Sequence, residues 1–261
     1  LAKGTRLTPQ ALGMAASVGA ASLTVSRRPR VALFSTGDEL VMPGESLKPG
    51  AIYNSNRFTL RGLLQAAGCE VADLGIVPDR LDATRDALRR AAQHNDLILT
   101  SGGVSVGEED HIKPAVKAEG WLEAWQVAMK PGKPLAFGAV RRGDDGTEAL
   151  FMGLPGNPVS SFVTAQLFLL PLLRALGGST SPLAASISAR LGAPLPPTGP
   201  RREFLRARWD GASVIAAEQH DSGALASLAT ANALIERPDH AGAAAAGEAV
   251  AVHLLRFGGI A

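Results

Sequence analysis

The chain has 261 residues, 46% of them hydrophobic and 19% charged, with a formal net charge of +2. This length and composition suffice to bury a sizeable core, which excludes a wholly disordered chain. The near balance of charge excludes the broad cationic field of a nucleic-acid-binding protein. The single cysteine, Cys69, excludes an internal disulfide, and the most apolar stretch, 162–176, is interrupted by polar residues and too short to predict a membrane span. We therefore expect a cytoplasmic protein with no nucleic-acid or membrane partner.

Residues 1–28 contain one candidate helix, 9–18, for which Thr8 is a suitable N-cap and Pro9 a suitable first residue. This segment has too few apolar residues to form a core of its own, and the chain begins with Leu rather than Met. We expect residues 1–28 to be a linker or the remnant of an upstream domain.

From residue 29 the pattern changes to alternating strands and helices, which predicts a mostly parallel sheet covered by helices. Asn157 and Pro158 predict the start of a long apolar helix, in which Pro171 should cause a kink or an end. The other predicted elements are strands at 31–35, 69–77, 96–100, 121–129, 135–140 and 150–154 and helices at 54–67 and 82–93.

After residue 177 a proline-rich connector, 193–200, is followed by short β-like runs separated by Gly, Asp and Pro. These runs are 203–209, 212–218, 232–236 and 249–255. Their spacing predicts a small sheet or partial barrel over 178–261.

Several loops at predicted strand ends contain residues that suit anions. Gly102 and Gly103, flanked by the hydroxyls of Ser101 and Ser105, offer backbone N–H groups beyond a strand, although a plain glycine-rich turn has the same sequence. The same segment runs on to Asp110, which either caps a helix or binds a cation.

Two further loops pair charge with a restricted backbone. Thr36, Gly37 and Glu39 lie in an acidic strand-end turn that suits Mg²⁺ and phosphate, or is simply an acidic surface turn. Lys130 and Lys133, in a loop stiffened by two prolines, form either an anion clamp or two solvated lysines.

The turn formed by Pro155, Gly156, Asn157 and Pro158 leads into a helix N-terminus, whose free N–H groups favour an anion, although ordinary helix-start chemistry requires the same residues. The five histidines show no paired metal spacing, and the sequence has no GxSxG, GxxxxGK[ST] or HExxH motif. Classical hydrolase, P-loop and zincin functions are therefore excluded.

Six segments of the sequence, taken together, form a pattern that is specific for one protein family. In chain order they are STGDEL (35–40), IYNSNR (52–57), LGIVPD (74–79), TSGGVSVGEED (100–110), KPGKPLAFG (130–138) and GLPGNPVSS (153–161). Each is weak alone, but their order and spacing closely resemble the molybdopterin molybdenumtransferases, the family of bacterial MoeA and the gephyrin E domain.

The resemblance implies a three-layer, mostly parallel α/β domain of the molybdopterin-binding, MogA-like type over 29–177, followed by an all-β barrel-like domain over 178–261. It implies an enzyme of molybdenum cofactor biosynthesis that inserts molybdate into adenylylated molybdopterin in a Mg²⁺-dependent step and releases AMP. It also implies a homodimer whose cleft uses both subunits.

The resemblance extends to individual site residues. Catalytic positions of the family correspond to Glu39, Asp79, Asp110 and Lys130, of which Glu39 and Asp110 would hold Mg²⁺. Arg201 and Ser222 correspond to positions on the molybdate side of the cleft. The full set of expected substrate-binding residues is Thr36, Gly37, Ser101, Gly102, Gly103, Ser105, Lys133, Pro155, Gly156, Asn157, Pro158, Arg201 and Ser222.

Two departures from the family pattern bear on activity. Gln126 stands where some members have a lysine facing the site. The family also carries two upstream domains that supply cleft carboxylates and part of the dimer contact, and only their trailing end is present here. We expect this chain alone to fold and bind molybdopterin without being a competent transferase.

Two other functions remain open from the sequence. A molybdopterin adenylyltransferase of the MogA type shares the α/β domain and the SGG loop, although the β-rich segment after Gly178 argues against it. A non-enzymatic, gephyrin-like scaffold is the other, but no receptor-binding groove is identifiable.

Overall fold

The chain alternates strands and helices up to residue 176 and consists mainly of strands after it. The computed structural model describes residues 1–103, 111–143, 146–218 and 225–255. The first part contains α1 (Pro9–Ser17), β1 (Arg30–Thr36), β2 (Leu40–Val41), β3 (Ile52–Tyr53), α2 (Ser55–Ala66), β4 (Glu70–Val77), α3 (Leu81–His94), β5 (Leu97–Ser101), α4 (Ile112–Glu119), β6 (Gly120–Gln126), β7 (Met129–Lys130), β8 (Pro134–Arg141), β9 (Glu148–Leu154), α5 (Pro158–Thr164) and α6 (Leu170–Leu176). The second part contains β10 (Ile187–Leu191), β11 (Arg202–Trp209), β12 (Ser213–Ala216), α7 (Leu225–Thr230), β13 (Ala233–Arg237) and β14 (Ala249–Leu254).

Six strands form one sheet in the order β4-β1-β5-β9-β8-β6. The first four run parallel, and β8 and β6 extend the sheet by antiparallel pairing. The mostly parallel sheet predicted from the sequence is confirmed. The carboxyl ends of its parallel strands meet at one edge, which is where ligands bind in sheets of this kind.

Helices cover both faces of this sheet, and β1 shows how its side chains divide between them. Val31 and Leu33 belong to the core shared with α2 and α5, whereas Ala32 and Phe34 belong to the core shared with α3 and α4. All four are fully buried. Because successive strand residues point to opposite faces, a strand between two helical layers needs a continuous apolar run. The three-layer arrangement is therefore also confirmed.

The helix after β9 starts as the sequence predicts. Asn157 is its N-cap, with its side-chain oxygen accepting a 3.2 Å hydrogen bond from the amide of Ser160, and Pro158 lies in the first turn. By length and apolar composition alone, Pro158–Leu176 is able to cross a membrane. However, 61% of its most apolar window is buried inside the protein, as in the core helix of a globular fold.

Pro171 does not end this helix, contrary to one of the two outcomes predicted from the sequence. A π-helical turn, Ala165–Leu169, precedes it, and the chain continues as α6. In a regular α-helix the proline ring clashes with the carbonyl four residues earlier, and the wider turn relieves that conflict.

The later strands close into a five-stranded barrel. β10 pairs with β14, β14 with β13, β13 with β11 and β11 with β12, all antiparallel, and β12 returns to β10 in parallel. Closure leaves no free edge among these strands. Leu191, Val214, Ile235 and Val252 fill the interior. The barrel predicted from the short β-like runs is confirmed, with β10 as an additional strand.

A short strand, β7, connects the two parts. The sequence predicts one strand over 121–129, but the amide of Val127 donates a 2.8 Å hydrogen bond to the carbonyl of Lys133 and closes a loop. Met129 and Lys130 then pair in parallel with β11 of the barrel. Phe204 of β11 in turn belongs to the core that contains α5.

Candidate functional site

A cavity of about 760 Å³ lies at the carboxyl edge of the sheet, bounded on its far side by β11 of the barrel. This size is typical of small-molecule sites. The strand-end loops contribute one wall and the loop around β7 another. Nine residues expected from the sequence line it, namely Glu39, Gly102, Gly103, Lys130, Lys133, Pro155, Gly156, Asn157 and Arg201.

Glycines bring two strand-end loops into close contact in one wall. Gly102 has a φ of +87°, and a Cβ there would lie 3.4 Å from the carbonyl oxygen of Thr36. A Cβ on Gly156 would lie 3.6 Å from the Cα of Gly102. A side chain at Gly102 would thus strain the backbone and project between the loops. The carbonyl of Gly156 accepts a 2.7 Å hydrogen bond from the side-chain amide of Asn56 at the start of α2.

Glu39 provides a carboxylate to the same cavity. Its carboxyl group folds back over Gly37, where a Cβ would lie 2.6 Å from a carboxylate oxygen. Gly37 has a φ of +142°, so glycine both permits the backbone and leaves room for the carboxylate. Within the described residues, no group of three His, Cys, Asp or Glu side chains is arranged to hold a metal ion.

Positive charge comes from the loop around β7 and from the barrel. Lys130 and Lys133 line one side of the cavity and Arg201 another. Lys130 Nζ lies 3.2 Å from Glu203 Oε1 on the barrel strand. With Arg206 of β11, four cationic side chains line the cavity, which suits it to an anionic ligand.

The barrel contributes lining residues that the sequence analysis missed. Phe204, Leu205 and Arg206 border the cavity, and Arg206 is 96% buried. The available sequence signal was an arginine inside a predicted strand. If such a strand is buried, the charge needs a partner close by. Only the closure of the barrel against the sheet shows which side of β11 faces the cavity.

Several expected residues lie near this edge without lining the cavity. Thr36 and Ser101 are buried, and the Ser101 hydroxyl lies 3.3 Å from that of Ser35. Pro158 lies in the first turn of α5, and Asp79 follows the end of β4. Their roles stay predictions. Ser105, Asp110 and Ser222 lie outside the described residues.

Cys69 takes no part in this site. It packs in the core with α2, and burial raises the pKa of its thiol to about 11. The thiol is therefore protonated at neutral pH and unsuited to act as a nucleophile.

A second depression, of about 530 Å³, lies between β4 and α3. Its lining includes Leu74, Ile76, Arg80 and Arg90. It contains none of the site residues expected from the sequence.

Two family models match the chain. The model described as a probable molybdopterin binding domain matches residues 32–175, and the model described as the MoeA C-terminal region (domain IV) matches residues 188–255. The first match alone covers more than half of the chain.

Individual relatives are proteins of the same kind. The molybdopterin molybdenumtransferase of Haemophilus influenzae is 45% identical over 178 residues, which are 68% of this chain and 43% of that protein. The molybdopterin molybdenumtransferase 2 of Mycobacterium tuberculosis is 38% identical over 255 residues, 95% of this chain and 62% of that protein. The chain thus spans less than two thirds of the length of either relative.

A solved structure agrees over nearly the whole chain. The molybdopterin biosynthesis MoeA protein of Pyrococcus horikoshii superposes with a TM-score of 0.81 at 29% identity. The match covers 98% of this chain and 62% of that one.

Proposed function

Because the chain belongs to the MoeA family of molybdopterin-binding proteins, we propose that its cavity binds adenylylated molybdopterin and molybdate and serves molybdenum insertion with release of AMP. The observation that carries the proposal is the cavity itself, in which glycine loops of the sheet face Lys130, Lys133 and Arg201. The proposed substrates are an oxyanion and a pterin that bears phosphates, and this lining offers donors for both.

The two sides of the cavity have different parts in this proposal. The backbone at Gly103 and Gly156 holds the pterin substrate, since glycine lets a ligand approach the backbone closely. The amide of Gly102 is not available for this, because it donates a 3.0 Å hydrogen bond to the carbonyl of Leu154. Lys130, Lys133 and Arg201 hold phosphate or molybdate oxygens. Catalysis then consists of positioning two anions against each other and stabilising charge, with no protein nucleophile.

Mg²⁺ belongs to the proposal through Glu39, the carboxylate that lines the described part of the cavity. A single carboxylate fits a Mg²⁺ that is shared with substrate phosphates, because this ion usually keeps several waters and takes one or two protein carboxylates. Asp110, proposed as the second carboxylate, lies outside the described residues. When bound, the ion would offset phosphate charge.

We also propose residues 29–177 as the pterin-binding domain, 178–261 as the β domain and 1–28 as the end of an upstream domain. The enzyme is proposed to act in the cytoplasm as a homodimer. Light scattering of the chain joined to the upstream domains expected from the sequence tests the dimer directly.

The alternative enzyme is a molybdopterin adenylyltransferase. The contribution of Arg201 and Phe204 to the cavity disfavours it, because the barrel then belongs to the site. One experiment separates the two: the chain, joined to the upstream domains expected from the sequence, is incubated either with adenylylated molybdopterin, molybdate and Mg²⁺ or with molybdopterin and Mg-ATP. Release of AMP with molybdenum bound to the pterin supports the proposal, whereas formation of adenylylated molybdopterin in the second mixture overturns it.

A further inference from the structure

Glu203 pairs with Lys130 at the boundary between the cavity and the barrel. The Lys130 ammonium lies 3.2 Å from the Glu203 carboxylate, and the two side chains are 48% and 17% exposed. Lys130 lines the cavity, whereas Glu203 does not. A lysine that faces the proposed anion site is therefore already bound to an anionic group of the protein.

This pairing follows from the register of the strands. Lys130 and Glu203 are direct partners in the parallel pair of β7 and β11. The amide of Arg202 donates a 3.0 Å hydrogen bond to the carbonyl of Ala128, which fixes the same stretch of backbone from the other side. The register therefore places Glu203 beside Lys130, where Lys130 lines the cavity.

We propose that Glu203 is a positioning residue that competes with the oxyanion substrate for Lys130. The inference rests on the proposed function, since it assumes that an oxyanion enters this cavity. The Lys130 ammonium has two alternative partners, the Glu203 carboxylate and the substrate, and binding of the substrate weakens the first contact. Glu203 thereby lowers the affinity for the oxyanion and eases its release, while it keeps the lysine at the wall of the cavity.

Calorimetric titration of the 261-residue chain with molybdate tests this idea. Glu203→Gln removes the competing charge and keeps the shape of the side chain, so molybdate should bind about fivefold more tightly, the size expected for one partly exposed ion pair. Glu70→Gln is the matched control, because Glu70 forms an exposed ion pair of the same 3.2 Å length with Arg30, where β1 and β4 begin. The Glu70→Gln variant should bind molybdate with the affinity of the wild type.

The same substitution in a Lys130→Met variant shows whether the gain in molybdate affinity comes from competition for Lys130 or from the general change of charge. In Lys130→Met, the substitution Glu203→Gln should change molybdate affinity by less than twofold, because the contested ammonium is gone. An equal gain in both backgrounds would overturn the inference. Thermal unfolding of each variant verifies that it is folded.

The failure of this inference is distinguishable from the failure of the proposed function. If the wild-type chain binds molybdopterin and Glu203→Gln leaves molybdate affinity unchanged or weaker, the inference alone is overturned. If the wild-type chain binds neither molybdopterin nor molybdate, the proposed function is overturned, and the inference with it.

Discussion

The side-chain amide of Asn56 donates a 2.7 Å hydrogen bond to the carbonyl oxygen of Gly156, one hundred residues further along the chain. Asn56 lies in the first turn of α2 and is 92% buried. The bond anchors the turn before α5 to a second helix, beside the wall that Gly102 forms. The shape of the proposed pterin site therefore depends on a residue that does not line the cavity.

Asn56→Ala should weaken molybdopterin binding about tenfold and lower the free energy of unfolding by about 1 kcal/mol, the typical value of one hydrogen bond. The oxygen of the same side-chain amide, Oδ1, has no partner in the described part of the chain, so its burial already costs stability and keeps the net loss small. Asn95→Ala is the matched control, since Asn95 is 93% buried and donates a 2.8 Å bond to the carbonyl of Ala91. Urea unfolding should show that Asn95→Ala is destabilised as much as Asn56→Ala. Calorimetry should show that Asn95→Ala binds molybdopterin with the affinity of the wild type.

Gly102→Val should weaken molybdopterin binding at least tenfold. The φ of +87° strains any side chain, and the Cβ would approach the Thr36 carbonyl to 3.4 Å, where the branched side chain obstructs the proposed ligand. Gly247→Val is the control, because Gly247 has a φ of +86° in a barrel turn with nothing within 4 Å of its Cβ position. It should lose stability of the same order, about 1–3 kcal/mol, and keep the wild-type affinity. Normal affinity in a folded Gly102→Val variant would remove this loop from the site.

The sequence predicted the parts of the fold that depend on local chemistry. The N-caps Thr8 and Asn157 are confirmed, because a capping side chain bonds an amide three residues away. The central strands β1 and β5 of the parallel sheet are confirmed because burial on both faces demands uninterrupted apolar runs.

Features that depend on distant parts of the chain could not be predicted in this way. Closure of the barrel pairs β10 with β12 and β14, and β10 itself carries a weak five-residue pattern. The contact of Lys130 with Glu203 joins residues 73 positions apart. Both arise from strand register, which local patterns do not encode. The short helix α7 and the two-stranded pair of β2 and β3 were missed because each has too few residues to show a period.

Arg201→Gln should weaken molybdate binding about tenfold, the effect expected for the loss of one charge-assisted hydrogen bond. The neighbouring Arg202→Gln is the control. Arg202 pairs with Glu236 at 3.0 Å and does not line the cavity, so its loss should leave the affinity unchanged. Calorimetry at low and at high salt makes the comparison sharper, since screening should reduce the wild-type affinity more than that of Arg201→Gln. Equal effects of the two substitutions would mean that only net charge matters.

The stability of the protein should depend on Asp96 at neutral pH but not in acid. Arg27 hydrogen-bonds the Asp96 carboxylate and lowers its pKa, and the amide of Arg30, at 2.9 Å, lowers it further against the opposing effect of partial burial. A carboxyl group whose pKa is depressed by folding adds stability above its unfolded pKa of about 4, and that stability is lost as the pH falls through the folded value.

Asp96→Asn should therefore lower the free energy of unfolding by about 1 kcal/mol at pH 7. The difference from the wild type should close as the pH falls below about 4. Asp86→Asn provides a comparison, because Asp86 is 67% exposed and its 3.2 Å pair with Arg89 should contribute less than about 0.5 kcal/mol. Urea unfolding at pH 7, 5 and 3 measures both. If the free energies of unfolding of the wild type and of Asp96→Asn differ by the same amount at all three pH values, the stabilisation by Asp96 does not come from its charge.

Glu39→Gln should weaken Mg²⁺ binding by the substrate-loaded chain about tenfold or more, because a neutral amide replaces the carboxylate proposed to share the ion with substrate phosphates. Folding and pterin affinity should be nearly unchanged, since the amide keeps the size of the side chain folded over Gly37. Glu45→Gln is the control, because Glu45 lies six residues away in an exposed turn, where it accepts a 3.2 Å bond from the amide of Met42. Titration of Mg²⁺ into each variant with adenylylated molybdopterin present gives the affinity without requiring turnover. If Glu39→Gln binds Mg²⁺ as the wild type does, Glu39 is not a ligand of the ion and its carboxylate has another role in the cavity.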